Sequence, residues 1–238
     1  MKNNTYLTKL DDDQIHVTTR PYLNKVEAHT EAYEVSVFGE PITVLPGVMS
    51  PKYDWAGLYM IDYLPKDLTD QDVLELGPGC GLVSVFAGLR GAKSVTAADI
   101  NPTAIENTKL NFEKFSIANS LAVVSDIFSN VPKKEYDSII FNLPYHNGVP
   151  ANDLEKGVID AGYRAMELFF KDTKDYLKKN GKLYIGFSQS GDLQRFNASL
   201  QENNIVIEDF EEKNEWNDSA YSGPDFHYNC QVYTCTIA

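Results

Sequence analysis

VLELGPGCGLVSVFAGLRGAKSVTAADINPTAIENTKLN, running from Val73 to Asn111, decides how the chain is read. A short apolar run, Val73–Leu76, ends in three glycines within five residues (Gly77, Gly79, Gly81), and an apolar amphipathic stretch, Leu82–Leu89, follows. That order spells strand, tight turn and helix. A second apolar run, Ser94–Asp99, ends on an acid about 20 residues after the turn, the place where nucleotide-binding sheets present a carboxylate to ribose hydroxyls. Asn101 followed by Pro102 predicts an N-cap and first helical residue, with the helix running over 102–115.

Outward from this stretch the alternation continues. Strands are predicted at 122–124 and 138–142, a helix over Gly162–Leu177, a strand at "GKLYIGFS" and a helix over Gly191–Asn203. "IVIEDFEEKNEW" and "YNCQVYTCTIA" read as a final antiparallel pair joined by a polar loop containing Gly-Pro. Strands alternating with helices imply an α/β fold, a Rossmann-like, seven-stranded, mostly parallel sheet with an antiparallel last strand. Residues 1–68 differ in kind, with turn signals ("GEP", "LPG", "SPKYD") and short alternating runs such as "AYEVSVFG". They are expected to form an extension capping a catalytic domain over 69–238.

The 238 residues carry 21 Lys+Arg against 34 Asp+Glu, a formal charge of −13, which repels phosphate backbones and argues against nucleic acid as a partner. Three cysteines, with no Cys-x-x-Cys pair, fit a reduced compartment, and the N-terminus lacks an apolar signal core. No apolar run approaches the roughly 18 residues of a membrane span, so a cytoplasmic location and no membrane partner are expected. The sequence offers no metal site.

Glycines let a ligand lie on bare backbone at the carboxyl edge of the sheet. On spacing alone that ligand could be a dinucleotide. Glu75, two residues before the first glycine, opposes a pyrophosphate and favours a nucleoside with a cationic tail. Asp99 would hold the ribose, although an acid near a helix N-terminus also has a purely structural use. Asp126 after the third strand would accept from an adenine amino group unless it is a plain loop acid, and Ile100 and Ile127 would sandwich the base unless they are core. "FNLPY", Phe141–Tyr145, closes the fourth strand at the same edge. Pro144 keeps Leu143 extended, so the Asn142 side chain and the Leu143 carbonyl can together accept from an –NH2 group. Tyr145 would stack on a planar acceptor. His146 is read as a solvated loop histidine ahead of a proton acceptor, Tyr176 as a core residue on a helix, and His16, His29 and His227 as ordinary.

With "LELGPGCG", "ADINPTAIENTKLN", "SDIF" and "NLPY" in this order, the chain resembles the class I S-adenosylmethionine-dependent methyltransferases over about Leu45 to Ala238. Its Asn-x-Pro-Tyr corner is similar to that of the branch holding protein glutamine, adenine and guanine N-methyltransferases. "LPGVMSPKYDWAGLYMIDYL" is similar to the segment before the first motif in the small methyltransferase domain group, with Asp54 and Gly57 as its Asp-x-x-Gly. The resemblance implies S-adenosylmethionine as cofactor, with Glu75, Gly77 and Gly79 near the methionine moiety and Gly81 and Asn142 also among the cofactor-binding residues. Asp99 would meet the ribose and Asp126 the adenine, and Asn142, Pro144 and Tyr145 would form the acceptor corner, with Asn142 and Tyr145 as the catalytic residues. Many relatives carry proline where this chain has Leu143, and NLPY also occurs in dimethyladenosine transferases, so the motif leaves the acceptor open.

The expected activity is methyl transfer to a nitrogen of a small molecule or a protein amide. An alternative with no separate acceptor is cyclisation of S-adenosylmethionine to azetidine-2-carboxylate and methylthioadenosine. A nucleic-acid N-methyltransferase and a non-catalytic nucleoside-binding scaffold rank behind them. The discriminating assay is S-adenosylmethionine alone, with products read by mass spectrometry.

Overall fold

The computed structural model describes residues 19–213 and 230–238. Helix α1, Arg20–Glu27, leads into a hairpin of β1, Tyr33–Val37, and β2, Glu40–Val44. The hairpin's two-residue loop, Phe38 and Gly39, has φ of 50° and 88°, the left-handed pair that matches strand twist. Helix α2 is Ala56–Tyr63. The first 68 residues are therefore mixed α and β wherever they are described.

The main element order follows as β3 (Asp72–Leu76), α3 (Leu82–Leu89), β4 (Ser94–Asp99), α4 (Pro102–Lys114), β5 (Ser120–Val124) and β6 (Tyr136–Asn142). It ends with α5 (Arg164–Asp172), β7 (Leu177–Phe187), α6 (Leu193–Glu202), β8 (Ile205–Lys213) and β9 (Cys230–Ile237). The sheet order is β5-β4-β3-β6-β7-β9-β8, with β9 antiparallel to both neighbours and the β3–β7 pairings parallel. This is the expected Rossmann-like sheet. The polar Gly-Pro loop expected between the last two strands lies outside the described residues.

Period-2 alternation in the strands feeds two cores. Val73, Val95, Ala97 and Ile140 face α2, α3, α4 and the hairpin, whereas Leu74, Leu76, Ile139, Phe141 and Ile185 face α5 and α6. With both faces covered, the strands read as continuous apolar runs rather than alternating ones. A third cluster joins Tyr22, Leu23 and Val26 of α1 to Leu154, Val158 and Ile159 of the loop after β6.

Two element predictions need correction. The helix expected over Gly162–Leu177 spans only 164–172, because Gly162 (φ 66°) and Tyr163 (φ 60°) are left-handed and redirect the chain. Beyond Asp172 the chain makes a 3-10 turn, Thr173–Asp175, and Tyr176 leaves the helix to stack on Phe128 at 4.4 Å between ring centroids. Tyr176 is core, as expected, but it is not helical. The following strand begins at Leu177, ahead of the "GKLYIGFS" run.

Candidate active site

The strand order reverses at β3, whose neighbours are β4 and β6, so a crevice opens at the carboxyl ends of these strands. A cavity of about 310 Å³ lies there. Glu75, Gly77, Gly79, Asp99, Ile100, Asp126, Ile127, Asn142 and Tyr145 all line it. Residues from three βα units and a fourth strand thus converge, as the sequence predicts.

Gly81 is the exception. It does not line the cavity, and a Cβ there would stand 3.0 Å from the Thr108 Cα. Its φ of 80° and missing side chain let α3 and α4 approach each other, which is a packing role. Gly77 (φ 64°) packs under the Phe141 ring, 3.3 Å from where its Cβ would be, and donates its N–H to the Ala98 carbonyl at 2.8 Å. Gly79 (φ 57°) donates to the Asp99 carboxylate at 3.2 Å. The glycine turn and the acid that ends β4 are therefore directly bonded.

Strand alternation turns Glu75 toward α3, where it accepts a hydrogen bond from the Ser84 hydroxyl. Glu75 is 5% exposed, and among the described residues no lysine or arginine pairs with it. Burial, with a smaller push from the Asp99 charge, raises it to about 7 despite the Ser84 bond. Asp99 rises to about 6 through burial, opposed by the backbone N–H groups of Asn101 and Gly79. Asp54, from the Asp-x-x-Gly segment, also lines the cavity and is raised to about 6 by burial. A buried Glu75 carboxylate that no described lysine or arginine pairs suits a cationic ligand. The bare glycine turn, the apolar walls from Ile100 and Ile127, and the uncompensated Glu75 together fit S-adenosylmethionine.

At the acceptor corner Leu143 donates its N–H to the Gly186 carbonyl at 3.0 Å. Tyr145 is half-buried, its ring edge-on to Phe187 at 6.4 Å, and burial pushes its hydroxyl well above the usual phenol range. His146 is not the solvated residue expected. It is 4% exposed, lies off the cavity wall, and makes a 2.8 Å bond between its Nε2 and the Thr19 hydroxyl. Burial lowers it to about 4. The cause is tertiary: its backbone is bridged to Val158 and Asp160, which folds the loop and α1 over it.

Sequence reasoning missed three buried polar residues on α4. Asn111 donates to the carbonyls of Cys80 and Thr43, both at 2.8 Å, and Thr108 donates to the Gly79 carbonyl at 3.3 Å. Asn107 accepts from Leu45 N–H and donates to the Thr43 carbonyl, both at 2.8 Å. They tie the glycine turn to the hairpin. The signal was present: Asn107 and Asn111 share a helix face at i, i+4, where apolar residues would ordinarily sit. Asn101 is the N-cap as predicted, accepting from Thr103 N–H at 2.9 Å.

Comparison with known proteins agrees with this geometry. Residues 40–214 match the family described as Methyltransferase small domain. A Methanocaldococcus jannaschii protein, provisionally named a protein N5-glutamine methyltransferase, is 33% identical over 63% of this chain and 77% of its own length. Ribosomal RNA small subunit methyltransferase C of Mannheimia succiniciproducens is 30% identical over 71% of this chain. The chain spans only 48% of that enzyme and 30% of a Rickettsia bellii bifunctional methyltransferase. Among solved structures, a T. thermophilus 16S rRNA methyltransferase in complex with AdoMet and guanosine superposes with a TM-score of 0.61 at 18% identity, over 85% of this chain and 50% of that one. M. jannaschii TYW2, in complex with AdoMet, gives 0.58 at 15% identity, over 88% and 89%. These relatives include enzymes named for rRNA, so the expectation that nucleic acid is no partner is not supported. None of them is a cyclase, and cyclisation gains no support. Among the described residues no helix is long and apolar enough to cross a membrane.

Proposed function

The chain belongs to the methyltransferase small domain family and is an S-adenosylmethionine-dependent methyltransferase, and on that premise we propose that its acceptor is the side-chain amide nitrogen of a protein. The observation that carries this reading is the corner Asn142–Tyr145 on the cavity wall. In this reading the Asn142 amide oxygen and the Leu143 carbonyl are the two acceptors for a planar –NH2 group. Holding both hydrogens leaves the nitrogen's electron density free to meet an electrophile. Positioning of this kind can lower a barrier by roughly 7–11 kcal/mol with little acid–base chemistry. Bound S-adenosylmethionine supplies the electrophilic methyl group.

The remaining residues have separable tasks in this reading. Gly77 and Gly79 offer bare backbone, Glu75 neutralises the cationic tail, Asp99 holds the ribose, and Asp126 receives the adenine amino group between Ile100 and Ile127. Tyr145 presents its ring to the planar acceptor. The segment before β3 acts as a cap, supported by Tyr22, Met49 and Asp54 on the cavity wall. The net charge of −13 favours a protein over an RNA acceptor, and so does the fuller coverage of the archaeal relative.

The test is incubation with methyl-labelled S-adenosylmethionine and separate protein and RNA fractions of a cell extract. The reading expects label in protein, released as methylamine on acid hydrolysis of the amide. Label confined to RNA nucleosides would establish a nucleic-acid methyltransferase instead. Methylthioadenosine formed from the cofactor alone would establish neither.

A further inference from the structure

Arg164, the first residue of α5, lines the cavity and grips Asp126 with a two-point fork, Nη1 to Oδ1 at 3.1 Å and Nη2 to Oδ2 at 2.7 Å. Sequence reasoning assigned this arginine nothing. The pair is exposed, at 58% and 37% of the two side chains, so its contribution to folding is small, on the order of 0–1 kcal/mol. Its placement is nonetheless elaborately determined. The Asp160 carboxylate accepts from Ala165 N–H at 2.9 Å and Met166 N–H at 3.0 Å, which fixes the start of α5. Asp160 in turn donates its N–H to the His146 carbonyl at 2.8 Å, next to the acceptor corner. On the other side, a turn pins the Asp126 backbone: its N–H donates to the Ser129 hydroxyl at 3.1 Å and its carbonyl accepts from Ser129 N–H at 3.0 Å. What the turn leaves free is the rotation of the carboxylate, and the guanidinium fork removes that freedom.

We propose that Arg164 is a positioning residue that sets the Asp126 carboxylate to receive the 6-amino group of the cofactor's purine, making the enzyme selective for an amino over an oxo substituent. The inference rests on the reading that Asp126 meets the adenine. A carboxylate has about four lone-pair sites. The fork occupies one on each oxygen and leaves one on each for the ligand. A 6-amino group donates to that acceptor, whereas a 6-oxo group presents a second acceptor and is repelled. Because α5 begins from the loop that folds against His146, the same closure that shapes the acceptor corner also seats the arginine.

The experiment measures dissociation constants of the full chain for S-adenosylhomocysteine and its 6-oxo analogue S-inosylhomocysteine by calorimetry. Methyl transfer to the protein fraction is assayed in parallel. Asp126→Ala is expected to lower the amino-over-oxo preference about tenfold, the worth of one charge-assisted hydrogen bond. Arg164→Ala should lower it about threefold with the carboxylate still present, and Arg164→Lys, which keeps the charge and loses the fork, should fall between Arg164→Ala and the unaltered enzyme. If Asp126→Ala lowers the preference and Arg164→Ala leaves or raises it, Arg164 competes for the acid or does nothing, and the inference is overturned while the adenine reading stands. If Asp126→Ala leaves the preference intact, both the adenine reading of Asp126 and the inference fail, and the acceptor assay reports independently on the activity.

Discussion

Asn142 and Gly186 face each other across β6 and β7, and a Cβ on Gly186 would collide with the Asn142 amide oxygen. The glycine is absent from every motif legible in the sequence, yet it clears the space in which the proposed acceptor-binding oxygen sits. Its φ lies outside the left-handed region, so alanine fits the backbone; the severe conflict is with the Asn142 amide, and the flexible end of Met60, 3.1 Å away, is the lesser one.

Gly186→Ala should therefore displace the Asn142 side chain and leave the glycine turn alone. Turnover is expected to fall by about 10- to 100-fold, the scale of a misplacement near 1 Å, with affinity for S-adenosylhomocysteine within about threefold of the unaltered enzyme. Steady-state kinetics beside calorimetry decides it. Unchanged turnover would remove Asn142 from the reaction.

Asn142→Ala and Asp99→Ala should divide the reaction from binding. The first removes the group proposed to hold the acceptor, and turnover should drop far more than cofactor affinity. The second removes the proposed ribose partner and also the acceptor of the Gly79 N–H, so affinity should drop far more than saturated turnover. Equal losses of both quantities in both variants would refute the division of roles.

The buried carboxylates predict opposite pH trends for folding and binding. Glu75 is raised from an ordinary 4.5 to about 7, so the ligand-free native state keeps a proton that the unfolded chain releases. Stability should fall as pH rises between those two values. A cationic tail needs the ionised form, so S-adenosylmethionine should bind more tightly as pH rises from 6.5 to 8, by about fourfold in all as the ionised fraction of a group at about 7 approaches one. Glu75→Gln should flatten the binding trend. A slope that persists in this variant would mean another group is titrating.

The α4 network predicts a linked loss. Asn111→Ala leaves the buried Cys80 carbonyl without this donor, while the Thr43 carbonyl keeps Asn107, at a cost of about 1–3 kcal/mol. The melting temperature should fall by several degrees, and saturating S-adenosylmethionine should raise it again by mass action. Weakened cofactor binding with an unchanged melting temperature would show that the network shapes the turn without supporting the fold.

The sequence by itself determined the sheet, the glycine turn, the acid at the end of β4 and the NLPY corner. Each of these is local chemistry: an apolar run, a backbone that must adopt positive φ, a cap, or a proline-fixed extension. Residues far apart in the chain, such as Glu75, Asp99 and Asn142, could be placed together because parallel strands deliver their carboxyl ends to one edge. Only the tertiary structure decided that Gly81 packs against Thr108, that His146 lies buried beneath Thr19, and that Arg164 holds Asp126. Those outcomes depend on contacts between segments tens to more than a hundred residues apart, where burial and side-chain pairing override local preference, and no spacing in the sequence encodes which partner arrives.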